Sequence, residues 1–441
     1  MPSDRGQRLV GRGLDTMVST ATLAQWVVDA RNRTFELVAD LDDQQLIGPH
    51  LSIVNPLLWE IGHVAWFQEK WVLRHALQEP PIRPDGDALW DSAAVAHDTR
   101  WGLPLPTRKD TLAYMTEVRD RVLDRLARSG SDPALPYFAL YTVFHEDMHD
   151  EAFTYTRQTL GYPAPRLSGA GAAPAAAGSL EGDVEVPGGT LLLGATPDEP
   201  FIFDNEKWAH PVTIQPFRVA RGPVTQREFA AFVDDRGYHR RELWSDEGWN
   251  WRTALGAEQP VYWRGWEGRW ERRDFDRWVS LEPHRPVLHV SWHEAMAYCR
   301  WARRRLPTES EWEAAAALDP KTGTKRRFPW GDTPPTPERA QLDARVMGCA
   351  DAAAYPEGDT ATGCRQMIGN VWEWTDTAFG PYPGFVPDAY KEYSEPWFHT
   401  HKVLRGGCWV TRARLLRNSW RNFYPPDRRD VWAGFRTCAL V

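Results

Sequence analysis

The chain is poor in cysteine, in long apolar runs and in blocks of one charge, and each shortage closes off a class of function. Its five cysteines, Cys299, Cys349, Cys364, Cys408 and Cys438, are an odd number scattered over 441 residues without a CxxC pair. That argues against a disulfide framework and a zinc-thiolate site, and leaves reduced, mostly structural thiols as the expectation. No apolar stretch reaches the ~20 residues needed to cross a bilayer, and residues 1–16 are polar, without the apolar segment of a leader. A cytoplasmic protein without a membrane partner is expected. Lysine and arginine form no block beyond the three arginines at 303–305, and the formal net charge is -8, so no nucleic-acid footprint is expected. No repeat of ~20 to 50 residues is found, which argues against solenoids and propellers. Small-molecule partners remain, for a chain expected to be a monomer or a weak dimer.

What is present is a globular composition, with 42% hydrophobic and 25% charged residues, enough to bury a core. Two domains are the working division for this length. Of 24 tryptophans, 18 follow residue 182, which indicates two differently built halves.

Residues 15–165 read as helices. Leu23, Trp26, Ala30, Thr34, Leu37 and Leu41 fall at helical spacing, and Asn55-Pro56 supplies a cap and a first-turn proline for a helix reaching about Leu77. A third helix starts near Thr107, paired with Asp110, and sets Leu112, Met115, Val118, Val122 and Leu126 on one side. A fourth runs from about Pro136 to Leu160 and stops at Gly161 and Pro163. Four such helices imply an antiparallel bundle, a fold that builds metal sites from inward-facing side chains. Residues 166–182 are an Ala/Gly/Pro linker with little side chain to bury. Residues 183–441 read as loop-rich α+β. Their β-like runs are "GGTLLLG" and "HPVTIQPFRVA", and their helices are "TQREFAAFVDD" and "SWHEAMAYCRWARRR".

The string "HEDMHDE" puts His145 and His149 four residues apart on one helix face, the spacing of two ligands to one ion. It is also HExxH, which in a zinc hydrolase makes Glu146 the general base. The extended zincin pattern asks for glycine and histidine where this chain has Ala152 and Tyr155. A third ligand is found in His63, set within the apolar "NPLLWEIGHVAWFQEKW", where a buried imidazole needs a strong polar partner. Three imidazoles suit iron, copper, nickel or zinc, and ligand type alone does not choose among them.

The ordered motifs "WEIGHVAWFQEKW", "HEDMHDE", "DNEKWAHPVTIQPFRVARGPVTQREFAAFV", "RRLPTESEWEAAA", "FPWGD", "IGNVWEW", "PYPGF", "LRGGCW" and "RNFYPPDRRDVWAGFR" resemble the iron-dependent sulfoxide synthases of ergothioneine biosynthesis. The resemblance covers residue 20 to Ala439. It implies a DinB-like four-helix bundle followed by a C-type-lectin-like domain similar to formylglycine-generating enzyme. It also implies Fe(II) on His63, His145 and His149, with hercynine and O2 as substrates. Asn422 and Phe423 match the positions that hold the substrate's cationic head, and an aromatic face suits a quaternary ammonium. Tyr382 matches a tyrosine beside the bound imidazole.

Three departures bear on the second substrate. Members that use γ-glutamylcysteine carry a catalytic tyrosine, a glutamine and an aspartate where this chain has Phe379, Met148 and Tyr424. The loop "DSAAVAHDTRWGLPLPTRKD" also offers no arginine pair to clamp carboxylates. The pattern is most similar to the selenoneine synthase branch, which implies a selenosugar donor and C–Se bond formation at the hercynine imidazole. A thiol donor, cysteine or γ-glutamylcysteine, is the alternative. The tryptophans between Trp244 and Trp278 offer either sugar platforms or structural packing. A copper-type oxidase of the C-terminal domain alone needs two close cysteines, and Cys408 and Cys438 are far apart in sequence.

Overall fold

The computed structural model describes residues 18–128, 134–171 and 176–440; the polar stretch 1–16 and the middle of the linker lie outside the described residues. The chain divides into two compact units. One runs to Ser168 and includes Pro197–Phe201, and the other holds Gly169–Thr196 and everything from Ile202 onward.

The first unit is built on four long helices, α1 (Thr20–Val38), α2 (Leu57–Gln68), α3 (Arg108–Ala127) and α4 (Ala134–Leu160). Local chemistry sets their ends. Ser19 caps α1 by accepting from the Thr22 amide, Thr107 caps α3 by accepting from the Asp110 amide, and α4 stops at Gly161 with φ of 67°. Helix α2 departs from the sequence reading, because Pro56 takes the capping place and Asn55 Oδ1 instead accepts from Arg100 Nη1 at 2.6 Å. It runs on as a π-helical stretch, Glu69–Ala76. Helices α1 and α2 each pack against both α3 and α4. The apolar stripe of α3 (Met115, Val118, Val122 and Leu126) is thereby buried, together with Val64, Phe67 and Phe144.

The second unit is loop-rich α+β. Strands β1 (Asp183–Val186), β2 (Gly189–Leu193), β3 (His210–Ile214) and β4 (Phe217–Ala220) come first. The run His210 to Ala220 is thus two strands, broken where Pro216 has no amide to donate. A hairpin sheet follows, β5 (Trp263–Trp266), β6 (Arg269–Asp274) and β7 (Arg277–Ser280), and then β8 (Arg304–Arg305). The last strands are β9 (Trp372–Ala378), β10 (Lys402–Arg405), β11 (Asn422–Tyr424), β12 (Ala433–Gly434) and β13 (Cys438–Ala439). Two four-stranded sheets result, ordered β1-β4-β13-β8 and β11-β10-β9-β12.

Among the described residues, four α-helices accompany them rather than the two read from sequence: α5 (Gln226–Asp234), α6 (Asp246–Leu255), α7 (Trp292–Trp301) and α8 (Glu309–Ala317). Helix α8 is buried nearly all round, so it shows no one-sided stripe. Its Trp312 and alanines join Val186, Leu193, Phe217, Val219, Met367 and Tyr382 in the core. Gly194, at φ +100°, is required there, since a Cβ would lie 2.9 Å from the Tyr382 ring.

The linker is not a free coil where it is described. The amides of Ala177 and Gly178 both donate to Asp351 Oδ2 at 2.9 Å, and that of Gly171 donates to the Arg345 carbonyl. All five cysteines are unpaired and buried, and burial lifts the Cys349 and Cys438 thiols to about 12, which leaves them protonated and unsuited to metal-thiolate chemistry. Among the described residues, no helix is long and apolar enough to cross a membrane.

Candidate metal centre

Helices α2 and α4 bring His63, His145 and His149 together, with donor atoms all within 4.8 Å of one another. Among the described residues, no other group of three or more such side chains forms a comparable cluster. Each ring is held by its own device. His63 Nδ1 lies 2.8 Å from the Trp90 carbonyl, which fixes the proton on that nitrogen and leaves Nε2 as the lone-pair donor. Trp59 stacks on the same ring at 4.8 Å and an interplanar angle of 10°. Gly62 makes this arrangement fit, because a Cβ there would sit 2.2 Å from Trp90 Nε1. His149 Nδ1 lies 2.6 Å from Glu60 Oε1, which likewise turns its Nε2 toward the cluster. Phe67 lies flat on His145 at 3.6 Å.

Electrostatics favour the ligand form. Burial, reinforced by the neighbouring His149, holds the His63 and His145 imidazoles well below the usual histidine range, so both are neutral at physiological pH. His145 Nδ1 is buried with no protein hydrogen-bond partner. The donor set therefore fits a divalent transition-metal ion with open positions, bound by three imidazole nitrogens and backed by the Glu60 carboxylate. Substituting Glu60→Gln keeps an acceptor for His149 but removes the charge behind it. Fe(II) or Co(II) affinity is expected to fall about tenfold in a chelator-competition titration, and an unchanged affinity would show that Glu60 only packs.

The zinc-hydrolase reading of the same helix loses its base. Glu146 is buried, and its Oε1 accepts from Arg31 Nε at 2.7 Å and Thr34 Oγ1 at 2.9 Å, while Oε2 accepts from Arg31 Nη2 at 3.2 Å. A carboxylate so occupied does not take a proton from water.

The other residues singled out in the sequence fall as follows. Met148 is half-buried on α4, next to His149. Strand β11 presents Asn422, Phe423 and Tyr424, all half-buried, beside β10. Phe379, just after β9, is fully buried and stacks on Phe423 at 4.0 Å and 10°. Asn422 Oδ1 accepts from the Phe423 amide at 2.8 Å, and Arg428 lies 5.2 Å over the Tyr424 ring. Tyr382 belongs to the core, with its hydroxyl donating to Glu309 Oε1 at 3.3 Å and Arg421 over its ring at 4.1 Å. Burial holds its phenol well above the usual range, so it stays protonated. In the tryptophan-rich segment Trp244 and Trp263 are buried, whereas Trp266 and Trp278 are exposed, with Arg264 stacked 5.1 and 4.1 Å from their rings.

Sequence reading missed Glu60, Trp59, Trp90 and Arg31. Glu60 carried a signal, since an acidic residue one turn before His63 in an otherwise apolar helix needs a partner.

Residues 27–152 match the DinB superfamily, and residues 170–440 match the sulfatase-modifying factor enzyme 1-like domain. The chain is 40% identical over 424 residues to hercynine oxygenase of Mycolicibacterium thermoresistibile, covering 94% of each. It is likewise 40% identical over 425 residues to hercynine oxygenase of Mycobacterium tuberculosis, covering 95% of this chain and 99% of the other. Formylglycine-generating enzyme of Thermomonospora curvata is 31% identical over 296 residues, or 59% of this chain. The three-histidine bundle and the lectin-like unit after it thus have one explanation: this chain belongs to the hercynine oxygenases, the sulfoxide synthase family of ergothioneine biosynthesis, which joins a DinB-like bundle to a formylglycine-generating-enzyme-like domain.

Proposed function

We propose that this protein is an Fe(II)- and O2-dependent oxygenase that joins selenium, delivered by a selenosugar, to the imidazole C2 of hercynine. The observation that carries the metal half is the convergence of three imidazoles, His63 and His145 buried and His149 half-buried, in a member of this family. Bound there, Fe(II) would supply a redox-active centre able to reduce O2 and accept a soft chalcogen donor. His63, His145 and His149 hold it, Glu60 and the Trp90 carbonyl fix the rings, and the apolar shell of Trp59 and Phe67 keeps water out. Asn422 and Phe423 are assigned to the trimethylammonium end of hercynine, Met148 and Tyr424 to the donor side, and Tyr382 to shaping the wall near the imidazole.

The donor assignment rests on arginines already committed elsewhere. In the 91–110 segment, Arg100 donates to Asn55 Oδ1 and the Val95 carbonyl and lies 3.9 Å over Trp59, while Arg108, at the start of α3, donates to the carbonyls of Val38, Ala39 and Leu41. Neither is left to clamp an amino-acid carboxylate. A selenol is largely ionised at neutral pH, so the missing tyrosine hydroxyl at Phe379 costs little. The alternative is a thiol donor, cysteine or γ-glutamylcysteine.

The test is anaerobic reconstitution with Fe(II), then O2 and mass spectrometry with hercynine plus a selenosugar, cysteine or γ-glutamylcysteine. A selenium-bearing hercynine adduct formed in preference to either sulfur adduct is the expected result, and γ-glutamylcysteine as sole donor contradicts it. Restoring the hydroxyl with Phe379→Tyr should shift the ratio of products. An unaltered profile with every donor would count against a chemical role for this position.

A further inference from the structure

We propose that Asp204 is a positioning residue that clasps the 383–400 loop against the Phe379–Phe423 stack, through the Ser394 hydroxyl and the Asp388 amide. What the stack binds rests on the proposed function, but the clasp itself does not.

Between residues 383 and 400 the loop is exposed or half-buried at every position except Ser394, which is fully buried. A hydroxyl driven into the protein from an otherwise open loop acts as a peg, provided its polar group is satisfied. Ser394 Oγ donates to Asp204 Oδ1 at 2.5 Å and accepts from Asn205 Nδ2 at 3.0 Å. A second hold is the Asp388 amide donating to Asp204 Oδ2 at 3.4 Å, and a third is Lys207 Nζ donating to the Asp388 carboxylate at 2.6 and 2.8 Å. Phe203 adds a stack on Tyr393 at 4.7 Å. One short turn, residues 203–207, therefore grips the loop at Asp388, Tyr393 and Ser394.

The base of the loop is fixed separately, by the Phe379 amide donating to the His401 carbonyl at 2.8 Å and the His399 amide donating to the Phe379 carbonyl at 2.7 Å. Between base and clasp the loop supplies the aromatic rings that enclose the stack. Phe398 lies 5.1 Å from Phe379, Phe385 lies 5.1 Å from Phe398, and Tyr393 lies 6.0 Å from Phe423. Releasing Ser394 frees the wall without disturbing β9 or β11.

The clasp is also sensitive to pH. Burial, with the nearby charge of Asp388, lifts the Asp204 carboxyl to about 6, against the opposing pull of the Ser394 hydrogen bond. The other charged and titratable groups around it are Lys207, paired with Asp388, the Glu206–Arg417 ion pair and the Tyr393 phenol. A carboxyl raised in the closed state favours closure while it is protonated. Closure is therefore strongest at low pH and weakens as pH rises through about 6.

The test is hydrogen exchange of the 383–400 segment in the full-length, metal-loaded protein at pH 5 and pH 7, corrected for intrinsic rates, beside the KM for hercynine. Wild type is expected to open about tenfold more at pH 7 than at pH 5. Asp204→Asn, locked in the neutral form, should stay protected at both. Ser394→Ala should exchange about tenfold faster than wild type at pH 5 and raise the hercynine KM more than it changes kcat. Wild-type exchange in both variants at both pH values overturns the clasp. Faster exchange in Ser394→Ala with an unmoved KM supports the clasp and removes Phe423 from the substrate site, which separates this inference from the proposed function.

Discussion

His63→Ala is expected to abolish hercynine-dependent O2 uptake and to weaken Fe(II) retention by more than the ~10–100-fold that changes behind a ligand typically cost. The ring is 2% exposed, stacked on Trp59 and bonded to the Trp90 carbonyl. Its removal therefore deletes one of three nitrogens and leaves that carbonyl unsatisfied, at about 1–3 kcal/mol of stability. The two effects separate by measurement. Metal content of the purified variant reads the first, and urea unfolding reads the second. A variant that keeps one iron per chain and full O2 uptake would remove His63 from the centre.

The second large effect concerns stability. Arg31 is fully buried and carries both oxygens of Glu146, with further bonds to Gln68 and the Met115 carbonyl. Arg31→Met strands the Glu146 carboxylate in the bundle core, so unfolding free energy in urea should drop by about 3–5 kcal/mol. Glu146→Gln retains a shape-matched partner and should leave metal stoichiometry intact, with a stability loss nearer ~1.5–3 kcal/mol. A zinc hydrolase predicts the reverse, a stable Glu146→Gln protein that has lost only its activity.

The helical unit was legible because its signals are local. Thr107 and Gly161 punctuate the chain, and the i, i+4 histidines of α4 share a face whatever surrounds them. His63 was found because an imidazole in an apolar helix is an anomaly that needs an answer. The second unit was harder, because its order comes from partners far apart in sequence. The motif "RRLPTESEWEAAA" carries Glu309 and Glu313, which pair with Arg405 of "LRGGCW", and Glu309 also pairs with Arg421 of "RNFYPPDRR". Likewise Glu373 of "VWEW" pairs with Arg436 of "AGFR", and Glu206 of "DNE" with Arg417. These buried pairs are what the string of motifs encodes, yet no spacing rule reveals which acid meets which base. Helix α8 was missed for the same reason. Its Thr308–Glu311 capping box was present in the sequence, but burial on all sides removes the amphipathic stripe on which a helix is usually read. Tyr382 makes the same point. A tyrosine before Pro-Gly does not disclose from its spacing that its ring packs into the core and that its hydroxyl meets Glu309.

The most direct test of the metal centre is metal analysis joined to O2 consumption on the full-length protein reconstituted anaerobically with Fe(II). One iron per chain, with O2 uptake that starts only when hercynine is added, is the predicted result. Tightly held zinc at unit stoichiometry, with no O2 uptake in the presence of hercynine and any donor, contradicts it.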